Sequence, residues 1–187
     1  MIKSNQMRMK TLRLARLPDW CFNDIRDINV PRLECLSLED INREDACSLL
    51  LKCNQSLKKL ILKKINLGCE FEYEYYIFNI MKKHHDHQVF QNIQHLELDD
   101  IPGHTAFSLV ECSRNSITTL ILRNITWFSY RFDNNFRMEN LIFLQLANIG
   151  RKVFQSLAEI NNLKKVSSSN LRRKRVDGIW KRSLVFF

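Results

Sequence analysis

Two groups of side chains in this sequence have the types and spacing that could support chemistry. Three histidines and an aspartate within residues 84–87 could be read as metal ligands, and Asp99 and Asp100 are adjacent carboxylates. Adjacent histidines on one helix point in different directions, and no cysteine or second histidine cluster lies near them in sequence. Neighbouring side chains on a strand point to opposite faces, so the two aspartates cannot form a catalytic pair there. We expect neither a metal site nor a carboxylate dyad.

Motifs of the common enzyme classes are missing from the sequence. It contains no Gly-x-Ser-x-Gly elbow, no His-Glu-x-x-His pair and no Walker loop. With 4 glycines in 187 residues, it also lacks a glycine-rich loop that could cradle phosphate. The 6 cysteines form no Cys-x-x-Cys pair, which favours reduced, buried thiols over zinc ligands or disulfides. We predict a non-catalytic protein without a cofactor or a bound metal.

The elements that would position any functional side chain come from a nine-residue pattern, apolar-x-x-apolar-x-Leu-x-x-apolar. Its second apolar residue is Leu12, Leu36, Leu60, Leu96, Leu120 and Leu144 in six copies. The spacings are 24, 24, 36, 24 and 24 residues, and we expect a degraded seventh copy from Leu163. The alternating leucines predict a short strand in each copy, and the segments between strands have helical apolar spacing, as over 46–53, 107–112 and 153–160.

Stacking of these units predicts an α/β fold, a leucine-rich-repeat solenoid of six to seven repeats. Short parallel strands would form its concave face and helices its convex face. We assign residues 1–166 to the solenoid, with a convex insertion at about 70–90 that accounts for the 36-residue spacing, and residues 167–187 to a basic tail. The insertion combines acidic and aromatic residues over 70–78, which leaves open a longer return helix or a partner contact.

Two stretches carry a resemblance to a known family. Leu49–Cys53 followed by Ser56–Leu62, and Leu109–Cys112 followed by Ser116–Leu122, resemble the helix, buried cysteine and next strand of ribonuclease-inhibitor-like and F-box-associated leucine-rich repeats. The resemblance covers about residues 9–166. It departs from the pattern of many such families at the ninth position, which is Leu or Ile here instead of Asn or Cys, so other groups must satisfy the turn backbone.

The resemblance implies a protein–protein interaction scaffold, and its F-box-associated members imply substrate recognition for a ubiquitin ligase. The sequence has no F-box, so contact with a ligase adaptor would require a longer product. Strand alternation places the residues between the leucines on the concave face, where we expect the protein partner to bind. The predicted partner-binding residues are Lys59, Ile61, Lys63, His95, Glu97, Asp99, Thr119, Ile121, Arg123, Phe143 and Gln145.

Two properties of this face follow from its columns of residues. The residues at one equivalent position of successive strands form a column, and the column Glu39, Lys63, Asp99 and Arg123 alternates in charge. This alternation predicts a cross-strand ladder of ion pairs. The ladder would serve either as ordinary surface ion pairs or as a charged ligand surface. Ile61, Ile121 and Phe143 are expected to be exposed on the same face.

The positive charge of the protein is concentrated in its tail. Eight of the basic residues and one aspartate lie from Lys164 onward, so this segment carries +7 of the net +9. The cluster Arg172, Arg173, Lys174 and Arg175 is interpreted as a solvated terminus, a nuclear-targeting signal or a nucleic-acid patch, and the last gives the alternative function of a nuclear or nucleic-acid-associated adaptor.

The ends of the sequence give two further expectations. Ile179, Trp180 and the apolar residues 184–187 are expected to cap the last repeat. The polar start of the sequence contains no signal peptide, and no apolar run approaches the roughly 20 residues that span a bilayer. We therefore predict an intracellular protein, cytoplasmic or nuclear, without a membrane partner.

Overall fold

The structure is a computed structural model of the 187-residue chain. It describes residues 8–16, 28, 30–53, 55–65, 90–125 and 136–149, and the backbone of strands within 174–186. The strands are β1 (Thr11–Ala15), β2 (Cys35–Glu39), β3 (Lys59–Lys63), β4 (His95–Asp99), β5 (Thr119–Arg123), β6 (Phe143–Ala147), β7 (Lys174–Val176), β8 (Ile179–Lys181) and β9 (Ser183–Phe186). The helices are α1 (Arg43–Cys53) and α2 (Gly103–Ser113).

Strands β1 to β6 form a parallel sheet in the order of the chain. Each pair is aligned so that equivalent leucines are partners, as in Leu12 with Leu36 and Leu60 with Leu96. The second of these pairs spans the 36-residue spacing without a shift in register, so the 12 additional residues do not disturb the sheet. The predicted α/β class and the six strands are confirmed, and the arrangement is compatible with a solenoid-like fold.

The leucine face of the sheet and the two helices share one apolar core. Both leucines of β2, β3, β4 and β5 are buried, and so are Leu49 of α1 and Phe107 of α2. Each fully buried side chain of this size contributes roughly 1.5–3 kcal/mol relative to an exposed one, so the alternation of leucines determines which face of the sheet the helices cover. The predicted helices over 46–53 and 107–112 are therefore present, while that over 153–160 lies outside the described residues.

The chain turns sharply after each of the six parallel strands. The residue that follows the strand has a positive φ, between 50° and 56°, in every case. These residues are Arg16, Asp40, Lys64, Asp100, Asn124 and Asn148. The backbone N–H of the first five donates to the last carbonyl of the next strand, at 2.9–3.0 Å. Backbone hydrogen bonds thus satisfy the N–H groups of these turns. The protein therefore does not need a polar residue at the ninth position of the repeat pattern.

One further strand, β9, extends the parallel sheet beyond β6. β9 pairs with β6 in antiparallel orientation, so a seventh parallel strand does not occupy that position. The degraded copy from Leu163 and the insertion over 70–89 lie outside the described residues. Within the described part of the chain, no helix is long and apolar enough to cross a membrane.

Candidate partner-binding surface

The sheet face opposite the leucines carries the residues predicted to bind a partner. Strand alternation exposes every second side chain here, and most of these side chains are half-buried because neighbouring strands bring them together. We call this surface the open sheet face. Its predicted partner-binding members described by the structure are Lys59, Ile61, Lys63, His95, Glu97, Asp99, Thr119, Ile121, Arg123, Phe143 and Gln145.

Glu97, in the middle of β4, is the centre of the charge network on the open sheet face. Its Oε1 accepts hydrogen bonds from Lys63 Nζ on β3 at 3.2 Å and from Arg123 Nη1 on β5 at 2.6 Å. The glutamate side chain is only 12% exposed. Burial alone would raise the pKa of Glu97, but the two cations outweigh burial and hold this pKa below its usual value.

This network corrects the predicted ion ladder. The ladder was expected within the column that contains Lys63, Asp99 and Arg123, but both cations reach diagonally to Glu97 in the adjacent column. Asp99 instead accepts a hydrogen bond from the side chain of Asn124 at 2.7 Å. A carboxylate that is largely shielded from water and flanked by two cations binds them more strongly than an exposed carboxylate does.

Ile121 is buried, with 8% of its surface exposed, and the prediction that it is exposed is wrong. The register places Ile121 between Glu97 and Gln145. The guanidinium of Arg123 hydrogen-bonds to both of these residues, at 2.6 Å and 3.3 Å, so it spans the isoleucine and shields it from water. Ile61 and Phe143 are half-buried and remain the apolar part of the surface.

His95 lies beside the charge network on the same strand. Its Nε2 is 3.9 Å from Glu97 Oε2, which is too long for a hydrogen bond, and this buried nitrogen has no hydrogen-bond partner among the described residues. Burial lowers the pKa of His95, and the charge of Lys59 lowers it further. The imidazole is therefore neutral at pH 7.

A row of hydrogen-bonded side chains, Asp99, Asn124 and Asn148, runs along the ends of the strands, and we call it the asparagine chain. It was not among the predicted site residues. Asn124 donates to Asp99 at 2.7 Å, and Asn148 donates to Asn124 Oδ1 at 2.8 Å. Asn124 and Asn148 are 24 residues apart, so the period that located the leucines could also have located this pair. The residues join the ends of β4, β5 and β6 at the border of the open sheet face.

Burial makes two thiols of the described residues hard to ionise. Cys47 and Cys53 are buried, Cys35 and Cys112 are half-buried, and none of these four forms a disulfide. Burial raises the pKa of Cys53 to about 12, and burial followed by the charge of Glu111 raises that of Cys112 to about 11. Thiols with such pKa values are poor nucleophiles at neutral pH.

The structure describes the candidate metal ligands and the basic cluster only in part. Within the described ranges, no three His, Cys, Asp or Glu side chains lie close enough to hold a metal ion. Residues 84–87 lie outside those ranges, as do Arg172 and Arg173 of the basic cluster, whereas Lys174 and Arg175 belong to β7, which forms a two-stranded antiparallel sheet with β8.

The open sheet face therefore combines a central charge network with two half-buried apolar side chains. Comparisons of the chain with protein-family models, with curated proteins and with solved structures found no match. Its function has to follow from the chemistry of its surfaces.

Proposed function

We propose that this protein is a leucine-rich-repeat solenoid and that its open sheet face is a concave, non-catalytic binding surface for another protein. The sheet supports the solenoid, because six parallel strands with equivalent leucines in register are the unit that such repeats stack. The resemblance of Leu49–Leu62 and Leu109–Leu122 to ribonuclease-inhibitor-like and F-box-associated repeats points in the same direction.

The charge network around Glu97 is the observation that carries the binding proposal. Arg123 is held in place by Glu97 and Gln145 before any partner arrives, so its binding requires little loss of side-chain entropy. Arginine and aromatic side chains are the residues that most often dominate protein interfaces. Arg123 together with the half-buried Phe143 and Ile61 offers such a combination over β3 to β6.

The class of partner follows from the same resemblance. F-box-associated repeats bind the substrates of a ubiquitin ligase, and we propose this role for the open sheet face, with the F-box supplied by a longer product. The place of action would be the cytoplasm or the nucleus. The competing function is nucleic-acid binding through the basic cluster Arg172, Arg173, Lys174 and Arg175.

Affinity capture from cell extract with two matched double variants tests the proposal. Ile61→Ala with Phe143→Ala removes the apolar part of the open sheet face, and Leu51→Ala with Ile142→Ala removes exposed apolar residues elsewhere. We expect a captured protein to be retained in 0.5 M salt by the wild type and by the second variant, and to be lost with the first. Circular dichroism and thermal melting establish that both variants are folded.

Two results would contradict protein binding by the open sheet face. In one, the Ile61/Phe143 variant captures the same proteins as the Leu51/Ile142 variant. In the other, capture depends on nucleic acid, falls steeply with salt and disappears when the four residues of the basic cluster are replaced by alanine, which would establish the competing function.

A further inference from the structure

A groove lies at the opposite end of the strands from the asparagine chain and apart from the open sheet face. It occupies about 740 Å³ beside the starts of β1 to β4. Lys10, Glu34, Lys58 and Gln94 each immediately precede one of these strands, and all four line it. We call it the rim groove, and the lining residues that matter here are Arg8, Lys10, Arg32, Glu34, Lys58 and Gln94.

The lining of the rim groove has a surplus of positive charge. Among the described residues of the lining, Glu34 is the one carboxylate, and Lys10 and Lys58 bind it from either side at 3.0 Å and 3.1 Å. These two lysines hold the pKa of Glu34 below its usual value, so it is ionised at pH 7. Arg8 and Arg32 are exposed and form no ion pair with any residue in the described ranges. The four cations and one carboxylate leave a charge of +3.

Two uncharged polar groups of the groove lining already have partners. Ser56 Oγ donates to the Leu33 carbonyl at 2.8 Å, and Asn92 Nδ2 donates to the Gln55 carbonyl at 2.7 Å. The charged side chains of the lining are therefore the main groups that it offers to a ligand. Guanidinium groups without a partner favour carboxylates and phosphates, which they bind through two parallel hydrogen bonds.

The shape and lining of the rim groove favour a peptide over a nucleic acid. None of the described residues that line it is aromatic, so these residues offer nothing on which nucleic-acid bases could stack. The starts of β1 and β4 are three strand spacings apart, roughly 14 Å, which matches roughly four residues of extended peptide at 3.3 Å per residue. Four such residues can bring two side-chain carboxylates to one side of the peptide, because side chains alternate along it.

We propose that the rim groove binds a short acidic segment of a partner protein, whose carboxylates pair with Arg8 and Arg32. Lys10 and Lys58 add longer-range attraction while they remain paired with Glu34. This site goes beyond the proposed function, because it uses none of the residues of the open sheet face.

Binding of fluorescein-labelled hexaglutamate to the full chain, followed by fluorescence anisotropy, tests the rim groove. Arg8→Gln with Arg32→Gln removes the two lining cations that form no ion pair with another described residue. Lys64→Gln with Arg114→Gln removes the same charge from exposed positions outside the groove. We expect the dissociation constant to rise by about tenfold in the first variant and by less than about twofold in the second.

Glu34→Gln provides a test in the opposite direction. It frees Lys10 and Lys58 for the ligand, so we expect hexaglutamate to bind about threefold to tenfold more tightly. Glu111→Gln adds the same net charge on α2, outside the groove lining, and should leave the affinity nearly unchanged.

Four outcomes would overturn the rim-groove proposal. They are no binding of hexaglutamate at 50 mM salt, equal effects in the groove variants and their controls, tighter binding of a thymidine hexanucleotide than of the peptide, and full competition by inorganic phosphate at the peptide's concentration. The Ile61/Phe143 variant should bind hexaglutamate normally, so failure of the open sheet face and failure of the rim groove are distinguished.

Discussion

Glu97 links side chains from several strands of the sheet, and the sequence around it does not indicate these contacts. Its carboxylate binds Lys63 of β3 and Arg123 of β5, and Arg123 continues to Gln145 of β6. One glutamate thus organises the side chains of four strands and sets the position of the arginine that we propose for partner binding. Substituting Glu97 would leave two cations close together on a partly dehydrated surface.

We predict that Glu97→Gln weakens the fold in a pH-dependent manner. The folded pKa of Glu97 is below the reference value of 4.5, so its contribution is present above pH 4.5 and is lost as the pH falls through the folded pKa. At pH 7 the variant should lose about 1 kcal/mol of unfolding free energy, and the difference from wild type should shrink towards pH 3. Urea unfolding at several pH values measures this, with Glu111→Gln as the control, and a difference that is constant with pH would contradict it.

The turn after each strand is the element that repeats most regularly in the structure. Six residues with positive φ are all non-glycine, and each of these conformations costs roughly 1 kcal/mol. Asparagine tolerates the left-handed region better than most residues, and at 124 and 148 it also hydrogen-bonds to the neighbouring turn. Arginine and lysine at 16 and 64 have no such advantage, so at those positions the backbone hydrogen bonds to the next strand must hold the turn.

Two substitutions at Asn124 separate the backbone effect from the side-chain effect. Asn124→Ala loses the hydrogen bonds to Asp99 and Asn148, and alanine tolerates the left-handed region less well than asparagine does, so we expect a loss of about 1–2 kcal/mol. Asn124→Gly loses the same hydrogen bonds without the conformational cost and should lose about 1 kcal/mol less. Equal losses in chemical denaturation would show that the positive φ does not contribute.

The seven-stranded sheet has its two edges at β1 and β9, and β9 pairs with the side of β6 that would otherwise be open. Residues 183–186 cover the free hydrogen-bonding groups of β6, and unpaired edges of this kind invite association with another chain. The edge of β6 is therefore paired within the chain, β9 becomes the outer strand, and the basic cluster lies before β9 in sequence.

Deleting residues 176–187 should lower the melting temperature by about 5 °C and expose the edge of β6. Concentration-dependent association in size-exclusion chromatography would report the exposed edge. Val185→Pro, which removes one backbone donor opposite Gln145, should give a smaller decrease in melting temperature in the same direction. A deletion variant that melts like the wild type and stays monomeric would show that β9 does not protect the sheet.

The alternation of leucines and their spacing determined the strands, their parallel alignment and the buried face. Leu36, Leu60 and Leu96 were recognisable because strand side chains alternate with a period of two residues, and burial of one face leaves a single register. The apolar spacing within Arg43–Cys53 and Gly103–Ser113 likewise indicated the helices that cover this face.

Only the tertiary structure decided how side chains on the open sheet face combine. Sequence alternation placed Ile121 on this face, but its burial depends on Arg123 reaching across to two other strands. The rim groove likewise joins residues from before four strands, and the edge of β6 is covered by residues 36 or more positions further along the chain. Periodicity reports the face on which a residue lies, whereas long side chains and distant strands are brought together only by the folded chain.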